Sequence, residues 1–521
     1  MTISMTGINR VPGGLPIEAF EDVVIVIHDS YSNRPPLVLV EHDRFVGYPN
    51  VLLGRELCIY LDVNREWHPA FGMAEVLERL WDWFDDAANA RVDPRTALFH
   101  AIGGRQPTNI AAPTMVVRST PPNDGKRLGL ATVRDRTPRR VDLVGWRLGR
   151  AARPDHSAVV FNVPTPLYQG VAQQLGPLLE QIATAGGAQI HQAISALHGA
   201  GVAGGHGQPI YFIVAVRHPA DPSLLHLVPG RVPVIVADVL RADPTAQPLG
   251  AAPLEWLPIS DEREEVVTRR DEARPVAAFR GVSIDLWGCG GIGSWTGEFA
   301  ARAGSTPITL RDVAPVSGGL LVRQNFTEDN VGDLKAEGLA TRLRAIGDGV
   351  HVTAAPGNVI ELITDSGLPD VDVIIDATVN ATVAARLDDA AKQTSTKAAL
   401  AQIATDTRTA SLGLLIFVPP GAGFGPATID RWVSEQVLTT GDLERFHCFW
   451  TPADKADQLV PAAGCTVPTF HGSAADLAVV AGGLFSLLGQ CLASGAAGAH
   501  LLASSHAGDH GPMHVFIPYR P

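Results

Sequence analysis

An apolar run, Val282–Trp287, passes straight into Gly288-Cys289-Gly290-Gly291-Ile292-Gly293, and a helix-like run, Trp295–Ala303, follows. No other stretch of this chain limits its fold as tightly. Strand, glycine turn and helix in that order gather unpaired backbone N–H groups and the positive end of a helix dipole at one point, which suits a phosphate. The glycines let a ligand approach the main chain. A second strand candidate, Pro307–Leu310, leads to Asp312, where an acidic side chain can hold a ribose hydroxyl. Strand and helix patterns then alternate from about 278 to 521, which predicts a doubly wound, Rossmann-like α/β domain. On these residues alone, NAD and ATP are equally good readings.

The next residues separate them. Arg323-Gln324-Asn325 follows Asp312, and Lys335 follows that. A dinucleotide needs no such cations beyond the ribose. A triphosphate that loses pyrophosphate does, because charge develops on the leaving phosphates.

This region resembles the adenylation domain of the ThiF/MoeB/ubiquitin-activating superfamily. The glycine loop, the Asp at the next strand end, the Arg-Gln pair, the lysine of Val331-Gly332-Asp333-Leu334-Lys335 and the strand end Asp376-Ala377-Thr378 come in family order. The resemblance implies that Gly288, Gly290, Gly291, Gly293 and Asp312 contact ATP. It also implies that Arg323 and Lys335 face the phosphates and that Asp376 serves the nucleotide and its magnesium. Two positions depart from the family pattern. Leu320 stands where an Asn precedes the arginine, and Val379 stands where a metal-binding Asp follows the Thr.

The formal charge of −13 argues against nucleic acid or an anionic membrane surface as the main partner. Five scattered cysteines with no Cys-x-x-Cys pair exclude a disulfide framework and a zinc ribbon, and fit a reduced, cytoplasmic setting. The N-terminus shows no basic start followed by an apolar run, so no signal peptide is expected. The stretch from Leu477 to Gly508 has no Asp, Glu, Lys or Arg, but its polar and small residues favour a buried helix over Leu477–Leu492 rather than a membrane span.

Cys58 stands out among the cysteines. It lies eight residues after Asn50 of Tyr48-Pro49-Asn50 and is followed by Trp67-His68-Pro69, with Tyr31-Ser32-Asn33-Arg34-Pro35-Pro36-Leu37-Val38 upstream. This spacing resembles the ubiquitin-conjugating family over residues 15–104, with Tyr48 in place of the family's histidine. The resemblance implies a thioester on Cys58. The Asn50 amide would then donate to the developing oxyanion or hold the loop. A thiol is both nucleophile and leaving group and needs no triad. Cys465, on a polar loop before the uncharged helix, fits the order in which activating enzymes place their acceptor thiol. Cys448 is its rival. Cys289 and Cys491 read as small core residues.

The expected organisation is therefore three parts. Residues 10–104 form an α+β conjugating-like domain with a helix over Met73–Ala88 facing inward through Val76, Leu77, Leu80, Trp81 and Phe84. Residues 105–275 form an α/β linker domain without a chemical motif. In it the basic stretch Arg134–Arg140 and the segment Gly199–Gly207 read as loops. Residues 276–521 form the activating domain. Such a fusion resembles bacterial ubiquitin-like conjugation enzymes, including those of antiphage operons. It implies ATP-dependent activation of a modifier's C-terminal carboxylate, a thioester on Cys465, and transfer through Cys58 to a target amine. Arg323 acts on the leaving phosphates. The modifier and the target come from other chains, and a homodimer is expected. The alternatives are an adenylyltransferase of a small peptide or sulfur carrier, and a degenerate scaffold that binds ubiquitin-like proteins. A dehydrogenase ranks last.

Overall fold

The computed structural model describes residues 1–93, 100–147, 155–221, 223–245, 250–267, 272–317, 319, 321–393, 396–451, 459–461, 466–468, 472–504 and 511–520. The chain divides into two compact units, residues 1–269 and 270–521.

The first unit opens with strands β1 (Thr2–Ser4), β2 (Phe20–Val26), β3 (Leu37–Val40), β4 (Val51–Leu52) and β5 (Glu56–Leu57), an antiparallel sheet in the order β1-β2-β3-β5-β4. A short helix α1 (Val63–Glu66) and a long one, α2 (Met73–Ala88), follow. Helix α2 starts where the Glu75 side chain accepts the Gly72 N–H at 2.9 Å, a one-sided cap, since Gly72 has no side chain to return the bond. It buries Val76, Leu80, Trp83, Phe84 and Ala87 in one core with Val23, Val38, Val40 and Leu57 of the sheet. The inward aromatic residue is thus Trp83, not Trp81. Trp83 lies three residues on from Leu80 and shares its face, whereas Trp81 and Leu77 stay half-exposed at its margin.

The same unit holds an eight-stranded sheet. Its strands are β6 (Thr114–Val117), β7 (Leu128–Thr137), β8 (Arg140–Arg147), β9 (His156–Val163), β10 (Ile210–Arg217), β11 (Leu225–Val232), β12 (Glu255–Trp256) and β13 (Ile259–Asp261), in the order β12-β11-β10-β9-β7-β8-β6-β13. The two outermost strands are consecutive in the chain, so the sheet must curl until its edges meet along residues 255–261. Met115, Val117, Val133, Tyr211 and Ile213 are buried on one face. On the other, α3 (Leu175–Thr184), α4 (Ile190–Gly204) and α5 (Val234–Ala242) cover Val159, Phe161, Phe212 and Val214. A last short helix, α6 (Glu264–Val267), ends the unit.

Two loop expectations fail here. Arg134–Arg140 lies in the β7–β8 hairpin, where Arg134 pairs with Asp155 at 2.6 Å and Arg140 with Asp142 at 2.6 Å, so its cations are spent on neighbouring carboxylates. Gly199–Gly204 is helical, within α4. A Cβ on Gly201 would come within 2.7 Å of Ile210 and 3.2 Å of Arg241. That glycine therefore serves close helix–strand packing rather than mobility.

The second unit is doubly wound, as expected. Strands β14 (Ile284–Trp287), β15 (Ile308–Arg311), β16 (Val352–Ala354), β17 (Val373–Asp376) and β18 (Ala399–Thr405) are parallel, in the order β16-β15-β14-β17-β18. Antiparallel β19 (Leu412–Val418), β22 (Gly498–Ala503) and β23 (Met513–Pro518) extend the sheet, and β20 (Leu459–Pro461) with β21 (Thr466–Pro468) forms a separate pair. Helices α7 (Gly291–Arg302), α8 (Lys335–Arg344) and α12 (Ala474–Ser494) share one core, and α9 (Val359–Ser366), α10 (Ala381–Gln393) and α11 (Pro426–Leu438) the opposite one. The pleat sends Ile284 and Leu286 to the first and Trp287 to the second. Helix α12 is the one helix among the described residues long and apolar enough to cross a membrane by length and composition. Here it packs on α7, the 275–279 turn, β18, β19 and β22.

Candidate active site

The glycine loop sits at the carboxyl ends of β14, β15 and β17, where the order of the parallel strands reverses. Two of its glycines are required sterically, Gly288 and Gly293. Gly288 has φ +84°, and a Cβ there would come within 2.9 Å of the Ala377 backbone. A Cβ on Gly293 would lie 1.9 Å from the Gly288 carbonyl oxygen. Gly290 is the N-cap of α7 and makes no side-chain cap, so the first-turn amides, those of Gly291 and Gly293 included, have no intrahelical acceptor.

In front of that turn lies a cavity of about 370 Å³. Gly288, Gly290, Asp312 and Lys335 line it together, with Asn358, Thr378 and Asn380. The Asp312 carboxylate accepts the Cys289 N–H at 2.8 Å and the Ala314 N–H at 2.8 Å, so it pins the glycine loop to the end of β15. Lys335 is the first residue of α8, and its own amide donates to the Ala314 carbonyl at 2.9 Å. Both charges reach Cys289: burial foremost, then Asp312, push its thiol well above the ordinary range, and Lys335 partly offsets them. With no exposed surface, Cys289 is a small wall of the loop.

Four expected residues lie outside the lining: Gly291 and Gly293 in the first turn of α7, and two charged side chains, Arg323 and Asp376. Arg323 is half-buried beside α7, where its carbonyl accepts the Trp295 Nε1–H at 3.2 Å. Asp376 is fully buried. Its Oδ1 accepts from the Thr378 amide at 2.9 Å and hydroxyl at 2.6 Å, and its Oδ2 from Gln402 Nε2 at 3.1 Å. Burial raises its pKa against those hydrogen bonds. Asp376 thus shapes the turn that presents Thr378 and does not fit the role of a magnesium ligand. Among the described residues no three His, Cys, Asp or Glu side chains gather into an all-protein metal cage, whereas magnesium carried by a nucleotide needs only one or two carboxylates. Val379 is exposed at φ +52°, costly for a β-branched residue. Leu320 lies outside the described residues. Sequence reasoning missed Asn380, whose Oδ1 accepts the Thr382 amide at 2.9 Å and caps α10; an Asn followed by an apolar-periodic run was its signal.

The second candidate site explains the spacing of Asn50 and Cys58. Strands β4 and β5 form a tight hairpin pairing Val51 with Leu57, so the residues just outside that pair meet. The Cys58 amide donates to the Asn50 carbonyl at 2.8 Å. Asn50 itself has φ +60°, a conformation asparagine tolerates better than most residues. The Cys58 sulfur is half-buried and donates to the Tyr60 carbonyl at 3.3 Å. Burial pushes its pKa up, Glu56 and Glu66 add to this, and Arg105 opposes it. Arg105 is itself ion-paired with Glu56.

The remaining thiols differ. Cys465 lies outside the described residues. Cys448 is exposed in the 3-10 turn Gly441–Phe449, where its sulfur donates to the Arg445 carbonyl at 3.6 Å. Cys491 is buried on α12, 3.1 Å from His500 Nε2, and burial pushes it up to about 12.

Comparison with known proteins matches one domain family to each of these two regions. Residues 274–502 match the ThiF family and residues 8–102 match Prokaryotic E2 family A. Among curated proteins, the chain is similar to the tRNA threonylcarbamoyladenosine dehydratase of Escherichia coli (strain K12), 42% identical over 76 residues. That match covers 14% of this chain and 28% of the relative, less than a third of its length. Among solved structures, selenomethionine PaaA is 16% identical with a TM-score of 0.33, covering 47% of this chain and 67% of that one. MccB of E. coli with ATP is 14% identical with a TM-score of 0.33, covering 47% and 66%.

Proposed function

We propose that this chain, which joins a prokaryotic E2 domain to a ThiF domain in one polypeptide, uses ATP to activate the C-terminal carboxylate of a separately encoded ubiquitin-like protein and passes the acyl group through cysteine thiols to a target amine. The observation that carries the reading is the cavity that gathers Gly288, Gly290, Asp312 and Lys335 at the heads of α7 and α8. In the first step a carboxylate oxygen bonds to the α-phosphorus of ATP, the bond to the bridging oxygen breaks, and pyrophosphate leaves. Lys335 and Arg323 neutralise the charge that grows on it, and the first-turn amides of α7 hold the phosphates. Asp312 holds the loop and the ribose. Asp376, buried and hydrogen-bonded, contributes by shaping the Thr378 turn.

In the second step a thiolate attacks the acyl carbon and AMP leaves. Cys465 is the proposed acceptor and Cys448 its rival. Exchange with the Cys58 thiolate releases the first thiol. An amine nitrogen then displaces the Cys58 sulfur, losing its proton as the amide forms. Two thiols in one chain raise each other's effective concentration. The same reading expects a homodimer, which sedimentation of the full chain tests.

The test is incubation with ATP and a candidate modifier ending in glycine, followed by non-reducing electrophoresis. Wild type is expected to give a reductant-sensitive adduct, and Cys58→Ala to lose transfer to the amine. No adduct in wild type, with pyrophosphate still released, supports a second reading as an adenylyltransferase of a peptide or sulfur carrier. Leu320 and Val379 motivate a third, a scaffold without turnover; pyrophosphate release that disappears in Asp312→Ala or Arg323→Ala excludes it.

A further inference from the structure

We propose that Glu298, a buried carboxylate on α7, is the positioning residue that sets the phosphate-facing groups of the second unit at one fixed spacing; the inference rests on the adenylation reading above. Three segments carry those groups: α7 with the glycine loop, the segment 323–325, and α8 with Lys335. Glu298 is bonded to all three. Its Oε2 accepts from Asn325 Nδ2 and from Arg342 Nε of α8 at 2.7 Å. Its Oε1 accepts from Arg302 Nη2 on its own helix at 2.7 Å.

The tie continues to the loop. The Asn325 amide donates to Ser294 Oγ at 3.1 Å, and that hydroxyl donates to the Gly291 carbonyl at 3.2 Å. Trp295 Nε1 holds the Arg323 carbonyl at 3.2 Å from the same helix. Asn325 is buried, and the Glu298 side chain is 8% exposed, so water does not compete for these bonds. Burial penalises the charge on Glu298, yet the bonds from Arg302, Asn325 and Arg342 hold its pKa below the usual carboxylate range. A side chain that only stabilised α7 would need Arg302 alone. Bonding to Asn325 and Arg342 instead makes the distance between Arg323, Lys335 and the glycine loop depend on one carboxylate.

Such a residue acts where geometry matters most, in the transition state, and less in nucleotide affinity. The experiment compares wild type with Glu298→Ala, Glu298→Gln, Arg342→Ala and Arg302→Ala in the full chain. It measures ATP–pyrophosphate exchange with a synthetic peptide ending in a free glycine carboxylate, the thermal midpoint, and amide hydrogen exchange over residues 321–330. Glu298→Ala is expected to lower kcat about 30-fold or more while the KM for ATP changes less than about threefold. Glu298→Gln keeps an acceptor for Asn325 and recovers most of the loss, and Arg342→Ala falls between. Arg302→Ala, whose guanidinium is 59% exposed and reaches neither of the other segments, stays within about twofold of wild type. Amides over 321–330 exchange faster in Glu298→Ala and not in Arg302→Ala.

A folded Glu298→Ala with kcat within threefold of wild type overturns the proposal. So does an equal loss in Arg302→Ala, or a Gln variant as impaired as Ala. If wild type exchanges no pyrophosphate with either the peptide or a candidate ubiquitin-like modifier, the adenylation reading fails by itself. The amide exchange still decides the positioning role, and unchanged protection over 321–330 overturns it.

Discussion

Around Gly288 the groups offered to a ligand are mostly main-chain amides, and Gly288 and Gly293 leave no room for a side chain. Around Cys58 the offered group is a single side chain, and the hairpin only brings Asn50 beside it. A backbone site is fixed by the fold and tolerates almost no substitution. A side-chain site is tuned by its neighbours' charge, here the Glu56–Arg105 pair, and tolerates adjustment in small steps. The difference says which property each region can vary: the ionisation of the thiol at Cys58, and very little at the glycine loop.

The largest expected effect attacks the backbone site. Gly293→Ala places a methyl group 1.9 Å from the Gly288 oxygen, so the second unit should lose about 2–4 kcal/mol and its nucleotide binding. A thermal melt of the full chain read by hydrogen exchange in each unit should show the first unit unmoved. The equivalent change in the hairpin, Gly54→Ala, meets side chains alone, Val46 at 3.1 Å and Gln169 at 3.7 Å, at φ +77°, and should cost about 1 kcal/mol. Equal losses from the two would erase the distinction.

An intermediate effect is shared by both units. Burial holds His500 in the second unit and His226 in the first at about 4, below the ordinary 6.5. Between those values the unfolded chain takes up a proton that the folded chain refuses, so stability falls as pH drops from about 6.5 towards 4. Each histidine accounts for at most about 3 kcal/mol. His500 faces Cys491 and His514, at 3.1 Å and 2.8 Å. Melts across this pH range should show His500→Asn flattening the dependence of the second unit alone.

The smallest effect belongs to the thiol. Glu56 raises the Cys58 pKa and Arg105 lowers it. Glu56→Gln should therefore speed alkylation of Cys58 by iodoacetamide near pH 7.5 by about two- to fivefold, and Arg105→Ala should slow it. The difference should shrink in high salt, because Arg105 is half-exposed. No change in either variant would mean that burial alone sets the thiol.

How much of this was legible follows from how local each cause is. The glycine loop, Asp312 and the ends of α2 could be read because steric need and periodicity act within a few residues. The spacing of Asn50 and Cys58 was legible for a related reason, since a two-strand hairpin turns a sequence interval into a contact. Gly201 was misread because its reason, the approach of Ile210 and Arg241, comes from distant parts of the chain. The Arg134–Arg140 stretch was misread because Asp142 and Asp155 neutralise it across strands. The Asp376 carboxylate was assigned to magnesium by position, while its oxygens are taken by Thr378 and by Gln402 of the neighbouring strand. Glu298 gave no sign, because its partners Asn325 and Arg342 lie on other elements.

Helix α12 has a consequence for the order in which the protein is made. It is uncharged after Asp476, has a mean hydropathy of 1.8 over an 18-residue window, and would be an aggregation hazard if it left the ribosome bare. Four of its five packing partners, the 275–279 turn, α7, β18 and β19, lie earlier in the chain. The surface that receives it is therefore synthesised mostly first, and β22 arrives afterwards beside β19 to widen the sheet beneath it. A circular permutation that moved α12 ahead of β14 would keep every contact of the finished unit and remove that protection.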